Sequence, residues 1–454
     1  MKNICFIANY SKTYLFHAIA EELQEKQVGI YWICTNRELY KFLRTHYKQQ
    51  QILLINMDHL AKDSLPLHPF KINELVYGDR VLRNEPEKGI RFLNNIQQDI
   101  YTFLQQRSIH FVFGEITWAH EILIHRICSR CQELNCRFLN PHVVRLPNHR
   151  FAFFTDENQS KFFDLSREPR SDHGMIQLKP PAYLKINDKI QAKARSLSGR
   201  LDRIRRFFTN ENIDKKDPTQ ITNESIRFKI RSREELYKET YRLVKKVSYD
   251  DFKGQPYIFI GLHKQPEASI DVIGRYYEDQ LTNIQNIWRV LPYNWKLVVK
   301  EHTNAIGDRS LDFYRKLQRW PNLILVDEKT PSYELIKNAR AVVSVSGTIC
   351  YEAALLRVPA FTFAPTFFNR LNGCDQLHLH MLQDCEHFEQ LIWKLEASFD
   401  NRMEFSNYLM NHSFEGTFTD PITIPAVLEP ENVQKLSIAF NEIINCSLVK
   451  MATS

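Results

Sequence analysis

The stretch VVSVSGTICYEAALLRVPAFTF, residues 342–363, reads as a buried strand that breaks at Ser346-Gly347-Thr348, runs into an apolar helix and returns as a second strand. Two apolar strands joined through a helix pair in parallel with a right-handed crossover, so this segment is one unit of a doubly wound α/β sheet. Three small residues at a strand end add almost nothing to a core, but they give access. The first-turn N–H groups of the following helix have no partner within it, and its dipole places about half a positive charge there. That combination is an anion site. Gly347 lets a phosphate approach the backbone, and Ser346 and Thr348 each bring a hydroxyl. Glu352, four residues after Thr348, can accept hydrogen bonds from a ribose. The plainer alternative is a tight turn in which Ser346 or Thr348 caps the helix.

The same rhythm extends on both sides. Tyr257 to Leu262, Lys296 to Lys300, Leu323 to Val326, Ala341 to Val345 and Pro359 to Phe363 are apolar runs separated by helical patterns near 276–290, 311–318 and 333–338, the last with Ser332 as a candidate cap. An earlier series has strands at Ile4 to Ala8, Gly29 to Ile33, Gln51 to Ile55, His110 to Phe113 and Arg137 to Leu139. Its helices fall near 13–24, 37–47, 85–106 and 119–134. Val143 to Phe154, with Pro147-Asn148 inside it, looks like an added hairpin or loop. Two such series imply two domains with a ligand cleft between them, and 454 residues suffice for two cores.

Within the second series, polar loops follow three strands of one sheet, and strand ends of one sheet share an edge. Lys300-Glu301-His302 closes one strand; His302 can donate to a phosphate oxygen and Lys300 can offset its charge. His263, Gln265 and Glu267 follow another, in HKQPEAS. Ser346, Gly347 and Thr348 follow the third. Across the cleft, Glu115 at a strand end and His120 or Glu121 at the start of the next helix are placed to deprotonate an acceptor hydroxyl.

Composition narrows the class. The 60 Lys and Arg against 53 Asp and Glu leave a net +7, too mixed for a nucleic-acid footprint. Residues 185–233 nevertheless carry 14 Lys and Arg against 6 Asp and Glu. Ile190, Ala194, Leu197, Leu201, Ile204 and Phe208 mark an amphipathic helix there, opposite Lys189, Lys193, Arg200, Arg203 and Arg206. This face is either solvated or attracted to an anionic membrane or glycan. Cys128, Cys131 and Cys136 lack the second pair that a zinc site needs, so ordinary reduced cysteines are expected. No signal peptide and no apolar run of membrane-spanning length are evident, so a cytoplasmic protein is expected.

The segments LHKQPEAS, LVVKEHT, SYELIKNARAVVSVSGTICYEAALLRVPAFTF and FEGTF resemble, in order and spacing, the capsule polysaccharide biosynthesis family, which includes bacterial Kdo transferases. The resemblance spans about Tyr257 to Phe418 and touches RLPNHRFAFFTDE at 145–157. It departs at Thr303, where the family usually has proline, and at Cys350, where glycine is common. It implies the GT-B architecture, two Rossmann-like domains facing across a cleft, with a nucleotide-sugar donor on the carboxyl-terminal one. It also implies that His302, Ser346, Gly347 and Thr348 contact the nucleotide and its phosphate, with Glu352 near the ribose. No Asp-x-Asp motif is present, so neither a metal nor another cofactor is expected.

The expected division is 1–184, an acceptor-side Rossmann-like domain; 185–235, a basic helix and linker; 236–428, the donor-binding domain; and 429–454, a terminal helix. The expected activity is glycosyl transfer from a nucleotide-activated sugar, CMP-Kdo being favoured, to a glycan or lipid-linked acceptor at the inner face of the membrane. A nucleotide-sugar epimerase or hydrolase, or a non-catalytic glycan- or membrane-binding protein, is the alternative. Cys350-Tyr351 falls on the helix without an assigned role.

Overall fold

The computed structural model describes residues 2–62, 64–165, 173–178 and 214–451. The basic amphipathic stretch 190–208 lies outside the described residues. The chain forms the expected class, two doubly wound Rossmann-like domains.

The first sheet contains β1 (Asn3–Ile7), β2 (Gly29–Cys34), β3 (Ile52–Leu54), β4 (Ile109–Phe113), β5 (Arg137–Val143) and β6 (Arg150–Phe154), and takes in β13 (Ser413–Glu415) from the end of the chain. Its order is β13-β6-β5-β4-β1-β2-β3. β1 to β5 are parallel, while β6 folds back on β5 as the hairpin that Pro147-Asn148 suggested, and β13 adds antiparallel to β6. Parallel strands buried on both faces read as continuous apolar runs. Accordingly Ile4 and Phe6 enter one core layer and Cys5 and Ile7 the other.

The second sheet contains β7 (Tyr257–Gly261), β8 (Lys296–Lys300), β9 (Leu323–Val326), β10 (Ala341–Ser344), β11 (Ala360–Thr362) and β12 (Cys374–Gln376). All pairs are parallel, in the order β12-β11-β10-β7-β8-β9. The order reverses between β7 and β10, and ligands of open α/β sheets bind at the carboxyl ends of the strands on either side of such a reversal.

Two features cross the division expected from sequence. The helix Glu224–Tyr241 spans residue 235; its last residue is buried, with Tyr241 Oη donating to Glu328 Oε2 at 3.1 Å. The chain also rejoins the first domain at β13, ahead of residue 429. The terminal helix Pro430–Met451 then packs on Lys12–Gln24 of the first domain. Phe440 reaches Phe113 and Phe153 at ring distances of 4.7 and 4.8 Å, so the end of the chain completes the first core.

The domains meet through specific polar contacts. Arg275 of the second domain binds Glu157 at 2.6 Å and Glu74 at 2.9 Å, and Arg83 reaches Asp271 at 3.1 Å. Arg145, in the hairpin turn after β5, pairs with Glu352 at 2.8 Å. Tyr351 Oη donates to the Leu146 carbonyl at 3.0 Å, and its ring stacks on Phe368. Tyr351, to which the sequence assigned no role, is thus a buried tie between domains. Cys350 faces the second sheet, its thiol 3.3 Å from the Phe361 carbonyl. Among the described residues no helix is long and apolar enough to cross a membrane.

Candidate functional site

The loops after β7 and β10 meet at the point where the strand order reverses. His263 is buried, and its Nε2 accepts from the Ser346 N–H at 3.2 Å while lying 2.9 Å from Ser344 Oγ. An amide can only donate, so the Nε2 side of the ring is the acceptor and the remaining proton sits on Nδ1. Burial, with the positive charge of Arg309 nearby, pushes the imidazole pKa down to about 3, which keeps it neutral. Its backbone is held as firmly: the N–H donates to Gln280 Oε1 at 2.8 Å, and the carbonyl accepts from Arg309.

Ser346 does not cap the helix Thr348–Leu355; its Oγ donates to the Ser269 carbonyl at 2.6 Å and ties the β10 loop to the β7 loop. No side chain caps this helix, so its first-turn amides keep the character that the sequence implied. Gly347 is required sterically. A Cβ there would lie 2.4 Å from Ser344 Oγ and 3.5 Å from His263 Cε1. Thr348 begins the helix beside it, and Glu352, one turn on, is engaged by Arg145.

The KEH segment separates into three environments. Lys300 donates to Ser332 Oγ at 2.8 Å, and burial lowers its pKa to about 8. Ser332 is therefore a partner of Lys300 and the first residue of its helix, with Pro331 in the cap position. Glu301 turns inward. Its Oε1 accepts from Arg309 Nη1 at 2.6 Å and from the His302 N–H at 2.8 Å, and its Oε2 accepts from Tyr314 Oη at 2.6 Å. His302 is exposed, and its Nδ1 accepts from the Asn304 N–H at 3.1 Å, which leaves Nε2–H as the donor. Gln265 and Glu267 stand on the same loop as His263. Gln265 Nε2 and the Glu267 N–H both donate to Asp271, at 3.0 Å each, and Asp271 carries the ion pair with Arg83.

The first domain places a second polar group at its own strand ends. Asn9, just after β1, donates through Nδ2 to Glu115 Oε2 at 2.8 Å and to Glu121 Oε1 at 3.3 Å. Lys12 pairs with Glu115, and burial brings its pKa to about 8. Glu121 is fully buried and accepts from the Thr117 N–H, Thr117 Oγ1 and the Trp118 N–H at 3.0, 2.8 and 3.1 Å. Desolvation outweighs these bonds and raises its pKa to about 7. His120 is buried, with its pKa lowered to about 3, and its Nε2 has no hydrogen-bond partner among the described residues. Glu115 and Glu121 are thus brought together around Asn9, and of the three base candidates Glu115 keeps the exposed edge, at 14% side-chain exposure.

A pH experiment follows from Glu121. The folded state holds its proton from the unfolded pKa of 4.5 up to about 7, so it contributes stability below 4.5 that is lost as pH rises through 7. Relative to Glu121→Gln, the parent is expected to lose on the order of 3 kcal/mol between those limits, measured by urea unfolding across pH. A pH-independent difference contradicts a protonated Glu121.

Sequence reasoning did not find Asn9, Lys12, Arg145, Gln280, Arg309, Tyr314 or Ser344. Ser344 carried the one usable signal, a hydroxyl where the flanking strand residues are valine.

No protein-family model matches this chain, and no curated protein matches it. Solved structures that resemble it include a beta Kdo 2,7 transferase, KpsC of Thermosulfurimonas dismutans, with 11% identity and a TM-score of 0.36 over 77% of this chain and 90% of that one. The UDP-GlcNAc 2-epimerase of Methanocaldococcus jannaschii, in complex with UDP-GlcNAc and UDP, has 12% identity and a TM-score of 0.28 over 87% and 92%. CalG4, the calicheamicin glycosyltransferase, has 11% identity and a TM-score of 0.27 over 91% and 95%.

Proposed function

We propose that the protein is a GT-B glycosyltransferase of surface polysaccharide biosynthesis. Its nucleotide-activated donor, a CMP-sugar such as CMP-Kdo, lies along the carboxyl edge of the second sheet, and its glycan or lipid-linked acceptor lies against the first domain. The observation that carries this reading is the meeting of His263, Ser344 and Ser346 where the strand order reverses, beside an uncapped helix amino terminus.

Breaking an anomeric C–O bond to a phosphate puts negative charge on the leaving oxygen. The first-turn amides after Gly347, the Thr348 hydroxyl and the His302 Nε2–H are donors for that charge. His263 and Glu301 position those donors rather than meet the ligand: one holds the Ser346 amide and the other the His302 amide. Glu115 is the base for the acceptor hydroxyl, with Lys12 and Asn9 fixing its carboxylate.

Thermal shift with CMP, UDP and GDP tests the donor class, because a nucleotide that binds only the folded chain raises the melting temperature. A selective response to CMP is expected. His302→Ala and Thr348→Ala should each weaken CMP binding about 10- to 100-fold in calorimetry, the worth of one hydrogen bond to a charged group. Unchanged affinity overturns the donor site. Turnover of the donor sugar with no acceptor present would favour the epimerase or hydrolase reading instead.

A further inference from the structure

His17 and Glu21 lie one turn apart on the helix Lys12–Gln24, so their side chains leave the same face. His46, the last residue of the helix Arg37–His46, comes up against them. The rings of His17 and His46 are 4.2 Å apart, and one donor atom from each of the three residues lies within 4.8 Å of the other two. His17 Nε2 is 3.5 Å from Glu21 Oε1. A tetrahedral ion with bonds of about 2.0–2.2 Å spaces its ligand atoms roughly 3.4 Å apart, so this pair already stands at ligand spacing.

The ring of His17 is oriented from behind. Its Nδ1 is 3.0 Å from the hydroxyl of Tyr47, itself buried, which leaves Nε2 as the nitrogen toward Glu21 and His46. A ligand histidine bonded through its other nitrogen in this way is the usual support of a metal site. Two imidazoles and one carboxylate suit Zn²⁺ or a similar divalent transition ion, whereas Ca²⁺ and Mg²⁺ take oxygen ligands.

We propose that His17, Glu21 and His46 form a divalent transition-metal site, best suited to Zn²⁺, that clips the first two helices of the first domain together. Both helices start at strand carboxyl ends, after β1 and β2, and His46 ends the second of them. The site therefore lies toward the opposite edge from Asn9 and Glu115, and its role is structural.

Full-length protein without a histidine tag, titrated with ZnCl₂ in a calorimeter, is expected to take up one ion per chain. Its melting temperature should rise with free Zn²⁺. Glu21→Gln and His46→Ala alter exposed residues, so the metal-free melting temperature should hold while Zn²⁺ affinity falls at least about tenfold in each. Co²⁺ in place of Zn²⁺ should give visible d–d absorption in the parent that His46→Ala abolishes. Two results overturn the proposal: no stoichiometric uptake by the parent, or Zn²⁺ affinity undiminished in the variants.

Discussion

Arg309→Leu is expected to destabilise the protein by about 3–5 kcal/mol, the range for breaking a buried ion pair from one side. Glu301 and Arg309 are only 4% and 8% exposed, so water cannot replace the lost partner. Glu301 would retain Tyr314 and the His302 N–H, two neutral donors, against the desolvation that already holds its carboxyl above the ordinary range. Without Arg309 that pKa climbs further. The variant's deficit should therefore shrink as pH falls from 7 toward 5 and the carboxyl takes up its proton. Glu301→Leu with Arg309→Leu removes both charges and should recover most of the loss, because replacing a buried pair by apolar side chains is often nearly neutral. Urea unfolding of the two variants decides the matter. A single-variant loss under about 1 kcal/mol contradicts the buried pair.

Gly347→Ala is expected to weaken donor-nucleotide binding about 10- to 100-fold while costing about 1–3 kcal/mol of stability, the range for forcing one extra methyl into a packed site. The new Cβ would meet Ser344 Oγ at 2.4 Å, and that oxygen is bonded to His263. Displacing it turns the histidine that holds the Ser346 amide, so a one-carbon change disturbs all three members of the switch-point cluster. Adding Ser344→Ala should recover stability, because the clashing atom is gone, without recovering affinity. Calorimetry with CMP beside thermal melting separates the two effects. Full affinity in Gly347→Ala rules out this edge as the phosphate site.

The fold was legible where burial imposes a pattern. β7, β8 and β10 have unbroken apolar centres because both faces of a parallel sheet are covered, with polar residues such as Lys300 and Ser344 only at their ends. β12 and β13 were not legible, since three residues such as Cys374-Asp375-Gln376 or Ser413-Phe414-Glu415 are too short to show any period. Val433, Leu436, Phe440 and Ile443 form an apolar stripe on the terminal helix, but a stripe does not say which domain covers it. At the candidate site, sequence supplied the residues at strand ends, because strand ends are visible. It could not supply Arg309, which reaches both Glu301 and the His263 carbonyl from a loop. Nor could it tell that Glu301 and His302, adjacent in sequence, point one into the fold and one outward. The partnership of Arg145 with Glu352 and of Leu146 with Tyr351 spans about two hundred residues, which no local pattern encodes.

The docking of residues 413–444 on the first sheet bears on how the protein is made. Phe440 lies against Phe6, Phe16, Phe113 and Phe153, so the strands of the first sheet wait for a helix that follows the whole second sheet before their core can close. The second domain, whose six strands all lie between residues 257 and 376, has no such wait. Synthesis from the amino terminus therefore yields its domains in reverse order, the later one finishing first. Throughout elongation the nascent first sheet carries an uncovered aromatic face, a surface for a chaperone to shield.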